Sequence, residues 1–215
     1  MTALAFIFSR KFFHILALLA GVFLGVNRSH AQQNLWPSEL WYEGKIVLTD
    51  GDTLKGLVKY DMQKDLVQYT MNDRSAEVFT ARKVIFFEIF DEANNRYRRF
   101  FTLPFETTSG YKTPVFFELL EEGKMTLLSR EFLEYKNFSS PYAISYSRLV
   151  LSYKFFFLNE NGSIEEFSGN KNDLLDRMGR NSGDVEKYMR KNRLKLEDRD
   201  DFTRLVDYYN SFFGF

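Results

Sequence analysis

The pattern of apolar and polar residues along the chain changes near residue 170. From Trp41 to Phe167, short runs that alternate or are wholly apolar are separated by turn residues, which is typical of antiparallel β-strands. From Lys171 onward, apolar residues recur every three or four positions, as on one face of a helix. The pattern predicts an α+β protein in which residues 41–170 form mainly an antiparallel β-meander, folded as a sandwich or a partly open barrel. Residues 171–215 are predicted to form a segment of two or three helices packed on it.

Turn residues divide the β-region into hairpins. Asp50-Gly51-Asp52 predicts a tight turn between strands Trp41–Thr49 and Thr53–Tyr60, because Gly51 can take a positive φ. Three later turns are marked by the pairs Asn94-Asn95, Glu122-Gly123 and Asn161-Gly162. The hairpins predicted there are Val84–Phe90 with Arg96–Leu103, Val115–Leu120 with Met125–Ser129, and Leu149–Leu158 with Ser163–Phe167.

Three of these strands carry apolar residues on both faces, namely Val84–Phe90, Val115–Leu120 and Phe155–Leu158. A strand that is buried on both sides needs a second layer over it. The helical segment is the candidate for that layer, since its last helix carries a full apolar stripe. The stripe consists of Phe202, Leu205, Val206, Tyr209, Phe212 and Phe213. The alternative is that this stripe docks on another protein.

The first residues of the chain have the pattern of an export signal. Arg10 and Lys11 precede the apolar run Phe12–Val26, and Ser29-His30-Ala31 places small residues where a signal peptidase needs them. Residues 1–31 are therefore predicted to be a signal peptide, cleaved between Ala31 and Gln32, and residues 32–40 a mobile lead-in. The alternative is an uncleaved anchor, although the apolar run is shorter than the ~20 residues that a spanning helix needs.

Both histidines, His14 and His30, lie in this segment, and the chain has no cysteine. The mature chain would then contain neither residue type, which excludes a Ser-His-Asp triad, a cysteine nucleophile, a histidine zinc site and an axial histidine for haem. We expect no metal and no cofactor. The protein is expected to be non-catalytic, although carboxylate chemistry stays open.

Four glutamates are the candidates for that carboxylate chemistry: Glu88, Glu118, Glu121 and Glu122. Burial within an apolar strand would raise the pKa of Glu88, as a general acid requires. The competing interpretation, which we favour, makes Glu121 and Glu122 hairpin charges and pairs Glu88 with a basic neighbour such as Arg98.

Charge limits the partners. Removal of residues 1–31 takes away three basic residues and no acid, which leaves 26 basic against 29 acidic residues and a net charge of −3. Nucleic-acid binding needs a clustered basic surface, so no nucleic-acid partner is expected. After Gln32 no apolar run is long enough for a transmembrane helix.

The stretch from Arg96 to Phe101 interleaves basic and aromatic residues. Some nucleic-acid platforms do this, but an amphipathic strand with a basic outer face is the better interpretation here. Arg96, Arg98 and Arg99 are therefore weak candidates for a binding face that meets anionic glycan or lipid headgroups.

Three motifs extend the picture: Gly44-x5-Asp50-Gly51-Asp52-Thr53-Leu54-Lys55-Gly56, Lys171-Asn172-Asp173-Leu174-Leu175 and Leu205-Val206-Asp207-Tyr208-Tyr209-Asn210. With them, most of the mature chain resembles secreted proteins of Bacteroidota that share a GDTLxG hairpin motif and have no known activity. The resemblance brings no site residues. It implies a cell envelope with two membranes and thus a periplasmic or outer-membrane-associated location.

These observations lead to one main hypothesis and two alternatives. The main hypothesis is an exported cell-envelope protein that acts as a non-catalytic binding or structural module, with an envelope protein, a glycan or a lipid as its partner. The first alternative is a carrier of a lipid or other apolar ligand in an aromatic-lined cavity. The second alternative is a carboxylate-dependent hydrolase, which requires a cleft with convergent ionisable groups.

Overall fold

The computed structural model describes residues 36–72, 75–106, 110–140 and 143–214. The predicted signal peptide and its cleavage site at Ala31 and Gln32 lie outside these residues. In the described part of the predicted lead-in, Pro37–Glu39 form one turn of 3-10 helix, which contacts the strand Thr53–Asp61.

The described residues form ten strands in a single sheet, and every neighbouring pair is antiparallel. The strands are β1 (Tyr42–Leu48), β2 (Thr53–Asp61), β3 (Leu66–Thr70), β4 (Glu77–Thr80), β5 (Val84–Asp91), β6 (Arg96–Glu106), β7 (Lys112–Glu121), β8 (Thr126–Ser140), β9 (Ala143–Leu158) and β10 (Ile164–Glu166). Their order is β10-β9-β8-β7-β6-β5-β1-β2-β3-β4. The α+β class, the meander and the four predicted hairpins are confirmed.

The first five strands curl around one core. In the strand order, β5 lies next to β1 on one side, and β4 is the third strand from β1 on the other side. Yet only Ala81, Arg82 and Lys83 link β4 to β5, and a link of this length spans at most about 14 Å. The sheet must therefore bend so that the outer edge of β4 returns towards β5. Inside the bend, the ring of Tyr60 meets those of Phe87 and Phe100, with centroids 5.3 and 5.2 Å away.

Asp65 ties the β2–β3 turn to the middle of the sheet. Its carboxylate accepts hydrogen bonds from the hydroxyl of Tyr60 at 2.8 Å and from the backbone amide of Phe116 at 3.3 Å. It also pairs with Arg130 at 3.2 Å. The turn thus joins strands far apart in sequence at the point where β8 separates from β7.

The expectation of burial on both faces is right for two strands and wrong for one. Residues 115–118 of β7 and 155–157 of β9 are fully buried. In β5, however, Ile85 is 47% exposed. A register shift between β1 and β5 makes Ile85 the extra, bulged residue. Val84 and Phe87 consequently both face the core, and none of the described residues forms a second layer over the outer face of β5.

The C-terminal segment forms three helices within the described residues: α1 (Lys171–Met178), α2 (Ser182–Asn192) and α3 (Arg199–Ser211). They cover the inner face of β8 and β9, where the ring of Phe202 lies 4.9 Å from that of Phe155. The last two positions of the apolar stripe, Phe212 and Phe213, stay about 40% exposed. No helix among the described residues is long and apolar enough to cross a bilayer.

Candidate functional site

A cleft of about 580 Å³ lies where the sheet meets the start of α3. Strands β6, β8 and β9 form one side of the cleft, and residues 197–200 form the other. The 3-10 turn before β1 lies at its rim. The charged and aromatic lining groups are Tyr42, Asp91, Arg96, Arg98, Glu131, Phe132, Glu134, Lys136, Tyr153, Glu197, Asp198, Arg199 and Asp200.

A buried ion-pair network forms the floor. The guanidinium of Arg98 on β6 holds Glu118 of β7 through two bonds, Nε to Oε1 at 2.8 Å and Nη2 to Oε2 at 2.9 Å. Its Nη2 also donates to Oε1 of Glu131 on β8 at 2.6 Å. Ser129 donates its hydroxyl to Glu118 at 3.2 Å. All four residues are at least nine-tenths buried, so these are charge-assisted bonds shielded from water.

Arg199 brings the helix into this network. It lies in the first turn of α3 and donates from both Nε and Nη2 to Glu118. Its Nη1 binds Asp200 at 2.9 Å, and Asp200 in turn pairs with Arg96 at 3.0 Å. The N-cap residue Asp198 fixes the start of the helix by accepting from the amides of the next turn. The position of α3 and the shape of the cleft floor are therefore coupled.

The pKa values of the two buried glutamates, Glu118 and Glu131, are shifted in opposite directions. Burial alone would raise the pKa of Glu118, but the guanidiniums of Arg98 and Arg199 outweigh it and lower that pKa to about 2. For Glu131, burial and the neighbouring charge of Glu118 prevail over Arg98, so its pKa is raised. Glu118 is therefore the carboxylate of the site that stays ionised, and Glu131 is the weaker acid of the two.

Two tyrosines add neutral polar groups. Tyr153 lies directly opposite Glu131 on the neighbouring strand, and burial, together with the charge of Glu131, raises its pKa to about 12. Burial also raises the pKa of Tyr42. Both phenols thus keep their protons near neutral pH and can donate as well as accept a hydrogen bond.

The three arginines singled out from the sequence do not share a face. Arg98 is buried in the floor of the cleft, and Arg96 is half-buried at its wall. Arg99 is exposed and points to the opposite side of β6, because successive residues of a strand alternate. The expectation of a basic outer face is therefore wrong for Arg98, because its guanidinium pairs with the buried carboxylates of Glu118 and Glu131.

The four glutamates are also separated. Glu88 pairs with Lys45 at 3.2 Å and lies opposite Arg99 in the β5–β6 register, so it has a basic neighbour as expected, although Arg98 is not that neighbour. Burial and the charge of Asp207 raise the pKa of Glu121, while Glu122 is an exposed turn residue. Only Glu118 belongs to the network, where both of its oxygens accept hydrogen bonds.

Sequence reasoning missed Glu131, Tyr153 and Arg199. Arg199 lies in a run of charged residues whose other members are exposed or half-buried, and nothing local distinguishes it. Glu131 and Tyr153 lie on β8 and β9, and the sequence pattern did not predict that these two strands pair with each other. Their cross-strand register would have been the usable signal.

Comparison with known protein families, with curated proteins and with solved structures gives no match. In the described part of the chain, no cluster of three or more acidic residues, histidines or cysteines is placed to hold a metal ion. Fold and site together define the class: an α+β protein with an open antiparallel sheet and an ion-paired polar cleft beneath its last helix.

Proposed function

We propose that the protein is an exported, non-catalytic binding protein of the cell envelope, whose cleft takes a neutral, hydroxyl-rich ligand such as a short glycan. The observation that carries the proposal is the ion-paired floor of the cleft. Arg98, Glu118 and Arg199 satisfy one another and present fixed polar groups with little free charge. The predicted signal peptide and the resemblance to secreted Bacteroidota proteins support the envelope location.

The charge of the lining favours a neutral ligand. Six carboxylates and four cations line the cleft, so an anion would meet net repulsion. An apolar lipid would have to strip water from these groups without replacing their hydrogen bonds, which is costly. A hydroxyl group can donate to a carboxylate and accept from a guanidinium, so a polyhydroxylated ligand fits both kinds of partner.

The tyrosines provide the remaining part of a sugar-binding surface. Tyr42 and Tyr153 are both half-buried at the cleft. Each offers an apolar ring face beside a hydroxyl group, which suits a sugar ring with apolar C–H faces and polar edges. The raised pKa of each phenol keeps it neutral, so no additional charge must be desolvated when a ligand binds.

Binding is favoured over hydrolysis by the state of the carboxylates. A glycosidase needs one carboxylic acid and a second carboxylate that is free to act as base or nucleophile. The raised pKa of Glu131 suits the first role. Glu118 does not suit the second, since Arg98, Arg199 and Ser129 occupy its oxygens.

Screening the purified protein against immobilised neutral oligosaccharides, anionic oligosaccharides and lipids tests the ligand class. We expect neutral glycans to bind and anionic ones of equal length to bind at least tenfold more weakly. Incubation of each bound glycan with the protein should release no new reducing ends. Preferential binding of anionic glycans or lipids would contradict the proposal, as would cleavage of a bound glycan.

A further inference from the structure

The two longest strands, β8 and β9, extend beyond the rest of the sheet. They pair with each other from Thr126 opposite Leu158 to Ser140 opposite Ala143. On the outer sides, β7 reaches β8 only at residues 127–129, and β10 reaches β9 only at residues 156–158. Residues 130–140 and 143–154 therefore form a two-stranded ribbon, which we call the β8–β9 ribbon. Within the described residues, the outer part of this ribbon pairs with no third strand.

The outer part of the ribbon has a distinctive composition. Residues 135–149 contain a lysine and an arginine but no acid, although the whole chain has 29 acidic and 29 basic residues. Tyr135 is 74% exposed and Tyr146 is 58% exposed. Exposed aromatic side chains beside an excess of basic over acidic residues indicate an interaction surface.

The register brings the charges and rings together. Lys136 lies directly opposite Arg148, and Phe138 lies directly opposite Tyr146. The rings of Phe138 and Tyr146 stack with centroids 5.5 Å apart, and the guanidinium of Arg148 lies 5.4 Å from the Phe138 ring. Like charges directly opposite each other are destabilising. Lys136 has a partial counter-charge in Glu134 at 3.1 Å, whereas Arg148 forms no ion pair among the described residues.

We propose that the face of the β8–β9 ribbon that carries Lys136 and Arg148 docks on an anionic phospholipid surface. Lys136 and Arg148 meet the headgroups, and Tyr146, on the same face of the ribbon, lies at the level of the interface, where tyrosine is enriched. Charge complementarity selects this occupant. In a symmetric contact with a second copy, the same basic patch would face itself. Lys136 also lines the cleft, whereas Arg148 and Tyr146 do not, so the single variant Arg148→Glu separates docking on vesicles from ligand binding in the cleft.

Sedimentation of the full-length purified protein with lipid vesicles tests this inference. The vesicles contain either phosphatidylcholine alone or phosphatidylcholine with about one-third phosphatidylglycerol. We expect binding to the anionic vesicles at low salt that is lost at high salt, because surface charges are then screened. Each cation near an anionic surface contributes roughly a fivefold change in the binding constant. The double variant Lys136→Glu/Arg148→Glu should therefore bind at least about 25-fold more weakly.

A matched control carries the same change in charge elsewhere. Lys187 and Arg190 on α2 are about 70% exposed, and Lys187→Glu/Arg190→Glu should bind vesicles as the unchanged protein does. Tyr146→Ser, on the same face as the two cations, should weaken binding without any change of charge, whereas Tyr135→Ser, on the opposite face, should bind as the unchanged protein does. Equal binding to neutral vesicles, equal loss in both charge variants, or a ribbon-dependent dimer without vesicle binding would overturn the inference.

Discussion

The side-chain amide of Asn210 binds both backbone polar groups of Met125. Its Oδ1 accepts from the Met125 amide at 2.9 Å, and its Nδ2 donates to the Met125 carbonyl at 3.0 Å. Asn210 is buried near the end of α3 and Met125 precedes β8. The contact thus joins the end of a helix to the start of a strand. The Arg199–Glu118 pair fixes the other end of the same helix.

Loss of this contact should destabilise the protein. Asn210→Ala leaves a buried amide and carbonyl without partners, which costs roughly 2–4 kcal/mol in the free energy of unfolding. Urea unfolding followed by circular dichroism measures this cost.

Gly123→Ala should act in the same direction, because a methyl group there would lie 2.5 Å from Nδ2 of Asn210. Gly183→Ala is the control, since that position is open. A loss of stability below about 0.5 kcal/mol in Asn210→Ala would refute this interpretation.

Glu118→Gln should be one of the most damaging single changes in the chain. The substitution keeps the shape of the side chain but leaves Arg98 and Arg199 buried beside a neutral amide. Breaking a buried ion pair in this way costs about 3–5 kcal/mol. Unfolding in urea measures the loss, and Glu88→Gln serves as control because its pair with Lys45 is partly exposed and contributes at most about 1 kcal/mol. Equal stability of the two variants would contradict the assigned role of Glu118.

Glu131 should make stability depend on pH in an unusual direction. Its folded pKa lies above the ordinary 4.5, so the folded state binds the proton more tightly than the unfolded state. Its contribution is therefore present below pH 4.5 and is lost as the pH rises through the folded pKa. The free energy of unfolding of Glu131→Gln, relative to the unchanged protein, should rise with pH above 4.5.

Glu134→Gln provides a comparison of opposite sign on the same strand. Hydrogen bonds from Ser152 and then Lys136 lower the pKa of Glu134. Its contribution is present above the ordinary pKa and is lost as the pH falls through the folded one. Urea unfolding of both variants between pH 3 and 8 compares them. Parallel pH trends in the two variants would show that the two carboxyl groups do not differ as described.

Local patterns predicted most of the fold but little of the site. Gly51 and the apolar alternation were sufficient for the first hairpin, because turn chemistry and strand period act over a few residues. The outer part of β8 and β9 was missed because its exposed residues, such as Asn137 and Ser147, carry no apolar alternation. Their strand conformation comes from pairing with each other.

The site itself depends on contacts between distant parts of the chain. Arg199 reaches Glu118 across 81 residues of sequence. Alternation along β6 separates Arg99 from Arg96 and Arg98, but it does not say which face is inside. That choice depends on Glu118 and Glu131, whose neighbouring strands place two carboxylates within reach of Arg98.

The most direct test of the account is calorimetric titration of a neutral oligosaccharide into the protein and two hydroxyl-deletion variants. Tyr153→Phe removes one hydroxyl from the cleft, and Tyr97→Phe removes one from an exposed position on the other face of β6. Tyr153→Phe should weaken binding by about three- to tenfold, which corresponds to the loss of one hydrogen bond, while Tyr97→Phe should bind as the unchanged protein does. Equal affinities in all three proteins, or no binding of any neutral oligosaccharide, would contradict the account.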